Sequence, residues 1–189
     1  CRRRNQYMIF FGDTCMGVSF WCGKLLCQNR ACTNFYNHLM KEGNCMLGKY
    51  LKQVRTKAPL IHNITNYVTV NDVANVLLAC GGSPIMSDEP ADIIDITSIC
   101  NGLNINIGTL NVRTIEAMYA AGEKSNELNH AVLLDPVGAG ASKLRTDTAL
   151  GLIEKIHFDV IRGNISEIKT LALGNGTTKG VDADVADAV

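Results

Sequence analysis

The sequence predicts an α/β protein with a mainly parallel sheet and helices on both faces, and three observations lead to that prediction. After residue 58, short apolar segments alternate five times with segments of helical periodicity, and no long structureless gap interrupts them. The segment 131–134 (Ala-Val-Leu-Leu) has no polar alternation, as expected of a strand that is covered on both faces. The order of strands and helices also implies right-handed β-α-β crossovers. We therefore expect a domain whose ligands bind at the carboxyl ends of the strands.

Residues 46–107 are predicted to contain three helices and three strands. Pro59 ends the first helix, because proline cannot continue a helix, and Gly81-Gly82 caps the second. Polar residues at 62–66 predict a loop that can hydrogen-bond a ligand. The predicted helices are 46–57, 68–80 and 91–100, and the predicted strands are 60–61, 84–86 and 103–107.

The second part continues the alternation through a loop of small residues. Pro136 ends a strand at 131–135, so Asp135 is expected at the carboxyl end of that strand. The loop 138–141 (Gly-Ala-Gly-Ala) lacks bulk, so a phosphate could approach its backbone N–H groups; the alternative is a plain strand-to-helix turn. The other predicted elements are helices over 112–128, from a cap at Thr146, and from 165 to 171, a strand at 160–161, and a long loop over 174–180.

Charge and cysteine divide the chain into two parts. Residues 1–58 carry ten Lys/Arg and two Asp/Glu, whereas residues 59–189 carry eight and sixteen. Six of the eight cysteines lie at or before Cys45. We therefore treat 1–45 as an extension of unknown structure, either disordered or a misassigned leader, and 46–189 as the globular part. An acidic main body without basic stripes predicts no nucleic-acid partner, and no apolar run is long enough for a membrane span.

Two consecutive predicted strands end on opposite charges, Asp135 and Arg162. An Arg at such an edge offers a planar fork for phosphate oxygens, and a carboxylate nearby can hold Mg²⁺ directly or through water. Asn164 and Glu167 follow at the opening of a helix, where backbone N–H groups favour anions. These four residues predict a phosphate and magnesium site. The alternative is a structural ion pair between Asp135 and Arg162, with Asn164 and Glu167 as ordinary helix-start residues.

The other strand ends are uncharged. Asn66, Met86, Gly108 and Thr109 offer an amide, a thioether, free backbone and a hydroxyl, which suits a small neutral heterocycle or alcohol. His62 is a candidate base, although a lone His near a strand end is more often a hydrogen-bonded structural residue. The sequence contains no P-loop, no complete dinucleotide fingerprint and no Gly-x-Ser-x-Gly elbow.

Seven motifs in order resemble those of the hydroxyethylthiazole kinase family and cover residues 59–183 almost continuously. They are Pro59-Leu-Ile-His-Asn-Ile-Thr-Asn66, Asn71 with Ala74-Asn75-Val-Leu-Leu, Gly82-Ser-Pro-Ile-Met86, Asn106-Ile-Gly-Thr-Leu110, Leu134-Asp-Pro-Val-Gly-Ala-Gly-Ala141, Ile161-Arg-Gly-Asn-x-x-Glu-Ile168 and Lys179-Gly-Val-Asp-Ala183.

The resemblance implies a ribokinase-like three-layer fold, a cytoplasmic homotrimer with sites between subunits, and phosphorylation of 4-methyl-5-(2-hydroxyethyl)thiazole by ATP with Mg²⁺ in thiamine salvage. Met86 would bind the thiazole, with Asn66, Gly108 and Thr109 in the pocket loops. Arg162 would bind ATP. The resemblance also assigns Asp135 and Asn164 to the phosphate region, and Glu167 with Asp135 to the metal.

The family's Gly-rich loop with its Cys, and a Thr that contacts the nucleotide, are expected further on than Val189. The chain therefore contains no expected catalytic residue, and we expect it to be an inactive N-terminal fragment of a kinase domain. The alternatives are a non-catalytic ligand-binding or oligomerisation module, or another ribokinase-like enzyme such as a hydroxymethylpyrimidine kinase or a hydrate dehydratase.

Overall fold

A computed structural model describes residues 7–10, 46–173, 178–179 and 182–183. The elements, in chain order, are β1 Tyr7–Phe10, α1 Met46–Lys57, β2 Leu60–Ile64, α2 Val70–Cys80, β3 Ser83–Met86, α3 Ile93–Ile99, β4 Gly102–Asn106, α4 Val112–Glu127, β5 Ala131–Asp135, α5 Lys143–Lys155, β6 Val160–Gly163, α6 Ile165–Leu173, β7 Thr178–Lys179 and β8 Asp182–Ala183.

The central sheet has six parallel strands in the order β1-β6-β5-β4-β2-β3. The register pairs Asn106 with Asp135 and Leu134 with Ile161, so the carboxyl ends of β4, β5 and β6 lie along one edge. The predicted parallel α/β sheet is therefore confirmed. β7 and β8 form a separate antiparallel pair. The long loop predicted over 174–180 is therefore corrected at Thr178–Lys179, which form β7.

The order of the strands places helices on both faces. From β2 the chain moves outward to β3, and from β3 it returns across β2 to β4 and continues through β5 to β6. Right-handed crossovers then put α2 on one face and α3, α4 and α5 on the other. In agreement, α4 packs against both α3 and α5. None of the described helices is long and apolar enough to cross a membrane.

The core lies between the sheet and the α3–α5 layer. Ile105, Leu134, Met118, Leu152 and Phe158 are each at most 1% exposed. Burial of such side chains contributes roughly 1.5–3 kcal/mol each. Gly122 on α4 lets the end of α5 approach within the same helix layer, since a methyl group added there would overlap the side chain of Ile156. This core holds β4, β5 and β6 in the register on which the edge depends.

The structure corrects two predicted boundaries. β2 continues to Ile64, so His62 and Asn63, which were predicted in a loop, are buried in a strand. They tolerate burial because their polar atoms have partners: the Asn63 side-chain amide donates to Ile61 O at 2.8 Å and accepts from the Asn104 amide at 3.1 Å. The helix predicted to be capped by Thr146 begins at Lys143 instead.

Ser142 is the N-cap of α5, since its hydroxyl accepts the N–H of Arg145 at 3.3 Å. Thr146 lies in the first turn and donates its hydroxyl to Ser142 O at 3.0 Å. Serine and threonine are both good N-caps, so the sequence alone did not distinguish the two positions.

Candidate functional site

The predicted site residues lie at the carboxyl ends of five adjacent strands, β6, β5, β4, β2 and β3. Two groups can be distinguished there. The charged half consists of Asp135, Arg162, Asn164 and Glu167, at the ends of β5 and β6. The neutral half consists of Asn66, Met86, Gly108 and Thr109, which follow or end β2, β3 and β4.

Asp135 is the centre of the charged half. Its carboxylate is 6% exposed, forms an ion pair with Arg162, and accepts a hydrogen bond from the Asn106 amide at 2.9 Å. Burial raises the pKa of Asp135, and the Arg162 guanidinium and the two hydrogen bonds oppose that shift. Asp135 and Arg162 are thus neighbours, as both interpretations of the sequence required, and they form the ion pair that the structural alternative predicted. Arg162 itself is half-exposed, so its guanidinium faces the surface at this edge.

Asn164 and Glu167 form a reciprocal capping box at the start of α6. The Asn164 side chain accepts the Glu167 N–H, and the Glu167 carboxylate accepts the Asn164 N–H, both at 2.9 Å. The second Glu167 oxygen accepts the Gly138 N–H, also at 2.9 Å. Glu167 therefore ties the loop after β5 to α6.

The Glu167 carboxyl is only 4% exposed. Burial raises the pKa of Glu167 to about 7, and the negative charge of Asp135 adds to the increase. The N–H groups of Gly138 and Asn164 and the positive charge of Arg162 act in the opposite direction. Both oxygens of this carboxyl accept backbone N–H groups, and its place in a cation site stays a prediction.

The loop of small residues does not provide the amide cradle that its composition predicts. Gly138 and Gly140 have φ of +76° and +91°, which favours glycine. However, the four N–H groups of residues 138–141 all have acceptors: Glu167 Oε1, Pro136 O, Thr146 Oγ1 and Gly138 O, respectively. The structure therefore favours the alternative, a strand-to-helix turn, because each of these amides already has an acceptor in the turn or on α5 or α6.

In the neutral half, three of the four predicted residues are brought together. The Asn66 amide donates to Asn106 Oδ1 at 3.1 Å, and the Gly108 N–H donates to the same oxygen at 2.9 Å. Thr109 Oγ1 accepts the N–H of Tyr67 at 3.4 Å. Met86 ends the neighbouring edge strand, where it is half-buried; its register partner is Asn63 of β2.

Two residues that sequence reasoning missed connect the halves. Asn106 is 7% exposed and bonds both Asp135 and the Asn66–Gly108 pair. Arg145, in the first turn of α5, donates from Nη2 to Gly108 O at 2.8 Å. The position of Asn106 at the end of β4, opposite Asp135, could have indicated its role, whereas nothing local in the sequence marks Arg145.

His62 has the structural role that the sequence analysis favoured over a catalytic one. Its Nε2 lies 2.9 Å from Ser87 O and its Nδ1 lies 3.1 Å from Thr97 Oγ1. Because a carbonyl only accepts, Nε2 carries the proton and Nδ1 accepts from the threonine. Burial lowers the pKa of His62, which keeps the imidazole neutral.

Comparisons with known proteins agree with this architecture. The family model described as the hydroxyethylthiazole kinase family matches residues 51–189. A hydroxyethylthiazole kinase from Clostridium acetobutylicum is 68% identical over 144 residues, which are 76% of this chain and 53% of that protein. One from Clostridium beijerinckii is 56% identical over 150 residues, covering 79% and 54% of the two chains. The chain thus spans about half the length of the curated relatives it matches.

A solved structure of a hydroxyethylthiazole kinase protein from Pyrococcus horikoshii OT3 is similar in fold. It superimposes with a TM-score of 0.61 at 38% sequence identity, over 67% of this chain and 49% of that one.

Proposed function

The chain belongs to the hydroxyethylthiazole kinase family, and on that premise we propose that the whole protein transfers the γ-phosphate of ATP to the hydroxyl of 4-methyl-5-(2-hydroxyethyl)thiazole. The reaction would serve thiamine salvage in the cytoplasm. The observation that carries the proposal is that Arg162, although paired with Asp135, keeps its guanidinium half-exposed at the strand-end edge, beside an uncharged group of side chains. Phosphoryl transfer depends mainly on positioning and on neutralising charge, and this edge offers both.

In this proposal the charged half binds the nucleotide. The half-exposed guanidinium of Arg162 donates to phosphate oxygens, and Asp135 holds that guanidinium in place. Asn164 immediately precedes α6 and follows Arg162 by two positions, which would place it beside the phosphates that Arg162 binds. The protein thereby orients the triphosphate across the ends of β5 and β6.

Asp135 and Glu167 are the residues that would hold Mg²⁺. Carboxylate oxygens suit a hard cation such as Mg²⁺. Among the described residues no group of three or more His, Cys, Asp or Glu side chains could enclose a metal ion. The remaining ligands would therefore be phosphate oxygens and water, as is usual for Mg²⁺. The ion supplies neutralisation of the phosphate charge.

The neutral half would bind the thiazole alcohol. Met86 offers a polarisable thioether to the ring, and Asn66, Gly108 and Thr109 line the edge with amide, backbone and hydroxyl groups. No formal charge lies among these four residues, which suits an uncharged substrate.

We also propose a homotrimer with sites between subunits, and a domain division into an extension at 1–45 and the N-terminal part of a kinase domain at 46–189. Exposed apolar residues beside the neutral half support the assembly: Tyr67, Val68 and Val112 are 62%, 89% and 83% exposed. Size-exclusion chromatography with light scattering tests this, and a monomer at micromolar concentration contradicts it.

The test of function is ADP release from Mg–ATP that depends on added thiazole alcohol. The whole protein should release one ADP for each phosphorylated alcohol, as measured by mass spectrometry. Alcohol binding without any ADP release would favour a non-catalytic module. Phosphorylation of a hydroxymethylpyrimidine in preference to the thiazole would instead indicate a different kinase of this fold.

A further inference from the structure

The backbone of Gly108, in the neutral half, is held by two side chains, those of Asn106 and Arg145. The Gly108 N–H donates to Asn106 Oδ1 at 2.9 Å, and Gly108 O accepts from Arg145 Nη2 at 2.8 Å. Asn106 belongs to the same strand end, whereas Arg145 comes from α5, after the loop that follows β5. Arg145 therefore joins the loop after β4 to the helix that follows β5.

Arg145 also packs against the loop of the charged half. A Cβ added at Gly138 would overlap Nη1 of Arg145 and would lie 3.0 Å from its Cδ. The absence of a side chain at Gly138 thus lets the guanidinium lie against the backbone of that loop. The same glycine donates its N–H to Glu167, so one residue contacts both Arg145 and the buried carboxylate.

From these contacts we propose that Arg145 is a positioning residue that fixes the Gly108–Thr109 backbone relative to the loop 138–141, so that the alcohol is held at the right distance from the nucleotide. The inference depends on the proposed function, since it concerns the same site. Arg145 acts through Gly108 and not on the reacting atoms.

The geometry requires an arginine. A planar guanidinium can donate from one nitrogen to Gly108 O while its other nitrogen lies against Gly138, whereas a lysine ammonium is a single point on a flexible stem. The amides of the loop 138–141 already donate to Pro136 O, Gly138 O, Thr146 and Glu167, so none of them makes this cross-link to Gly108. The side chain of Arg145 provides it instead.

The test uses the whole protein and three variants of it: Arg145→Met, Arg145→Lys and, as control, Lys143→Met. Lys143 lies in the same first turn of α5, and its exposed side chain pairs only with Asp147 among the described side chains. Affinity for the thiazole alcohol and for Mg–ATP is measured by titration calorimetry. Amide hydrogen exchange of the peptide containing residues 104–112 is followed in parallel.

We expect Arg145→Met to weaken alcohol binding by about tenfold or more, as for loss of a hydrogen bond from a charged group, and to change Mg–ATP affinity less than about twofold. Amide hydrogen exchange at residues 108–110 should be faster in Arg145→Met than in the wild type. Arg145→Lys should behave like Arg145→Met, and Lys143→Met like the wild type.

Three results overturn the inference: unchanged exchange at 108–110, faster exchange with unchanged alcohol affinity, or full recovery in Arg145→Lys. If the unaltered protein binds Mg–ATP but no thiazole alcohol, the proposed substrate is wrong, and the inference fails with it. If the unaltered protein binds the alcohol and Arg145→Met binds it equally well, only the inference fails.

Discussion

The charged half and the neutral half of the strand-end edge are built in different ways. In the charged half, Asp135 and Glu167 are 6% and 4% exposed, and their oxygens accept hydrogen bonds from named partners. In the neutral half, Met86 lies on an edge strand whose four residues are all half-buried. Burial and internal hydrogen bonds therefore hold the carboxylates of the charged half in place. In the neutral half, small residues and backbone contacts determine the shape of the edge.

The largest effect is expected from removing the central carboxylate of the charged half. Asp135→Ala leaves the Asn106 amide without its acceptor and Arg162 without its ion-pair partner. We expect the free energy of unfolding to fall by about 3 kcal/mol in urea denaturation. Asp147→Ala removes a carboxylate from an exposed pair with Lys143 and should cost about 0.5 kcal/mol or less. Equal losses in both variants would show that Asp135 is no more structural than a surface charge.

The stability of the protein should also depend on pH through Glu167 of the charged half. Because the pKa of Glu167 is raised to about 7 in the folded state, the folded chain keeps a proton that the unfolded chain loses near its ordinary value. The stability from this group is therefore greatest at low pH and is lost as pH rises from about 4.5 to about 7. Asp135, whose pKa is also raised, contributes with the same sign.

Glu167→Gln removes the titration while it keeps the size of the side chain. Between pH 4.5 and 7, the unfolding free energy of the wild type should fall relative to this variant by about 2 kcal/mol. Parallel stability curves for the two proteins would contradict a raised pKa. If Glu167 is a ligand of Mg²⁺, the affinity of the wild type for Mg²⁺ should increase as the pH rises from 4.5 to 7. The affinity of Glu167→Gln should not change over that interval.

The smallest predicted effect tests the neutral half. A Cβ at Gly108 would lie 2.9 Å from Asn106 Oδ1 and 3.0 Å from Asn66 Cβ, so Gly108→Ala must displace one of the two amides. We expect destabilisation of about 1 kcal/mol and weaker alcohol binding with unchanged Mg–ATP affinity.

Gly48→Ala is the matched control for this substitution. Gly48 lies in α1, and nothing comes within 4 Å of an added Cβ, so the alanine should stabilise the helix by roughly 0.5–1 kcal/mol. The two Gly→Ala changes should therefore have opposite signs in thermal unfolding. The same sign for both would show that the close approach at Gly108 has no energetic consequence.

The parts of the fold and site that were predictable are those that depend on strand order. Asp135 and Arg162 end consecutive strands, and in a parallel sheet consecutive strand ends that are also neighbours must meet. His62 and Asn63 were misplaced in a loop because their burial depends on partners from β3, α3 and β4, which no local pattern shows.

The parts of the site that were harder to predict depend on which acceptor each hydrogen-bond donor contacts. The loop 138–141 has the composition of a phosphate cradle, yet its amides bond within the turn and to Glu167 and Thr146. Arg145 reaches Gly108 across 37 positions of sequence, and that distance hides its role from any short motif. Binding roles for the predicted site residues stay predictions.

The most direct test of the central claim is a pair of ¹⁵N chemical-shift titrations of the chain, one with Mg–ATP and one with the thiazole alcohol. The account predicts that Mg–ATP shifts the amides of Arg162, Asn164 and Glu167 most, and that the alcohol shifts those of Asn66, Gly108 and Thr109 most. If Mg–ATP perturbs the neutral half instead, or if both ligands perturb residues away from the strand-end edge, the assignment of nucleotide and alcohol to these two groups is contradicted.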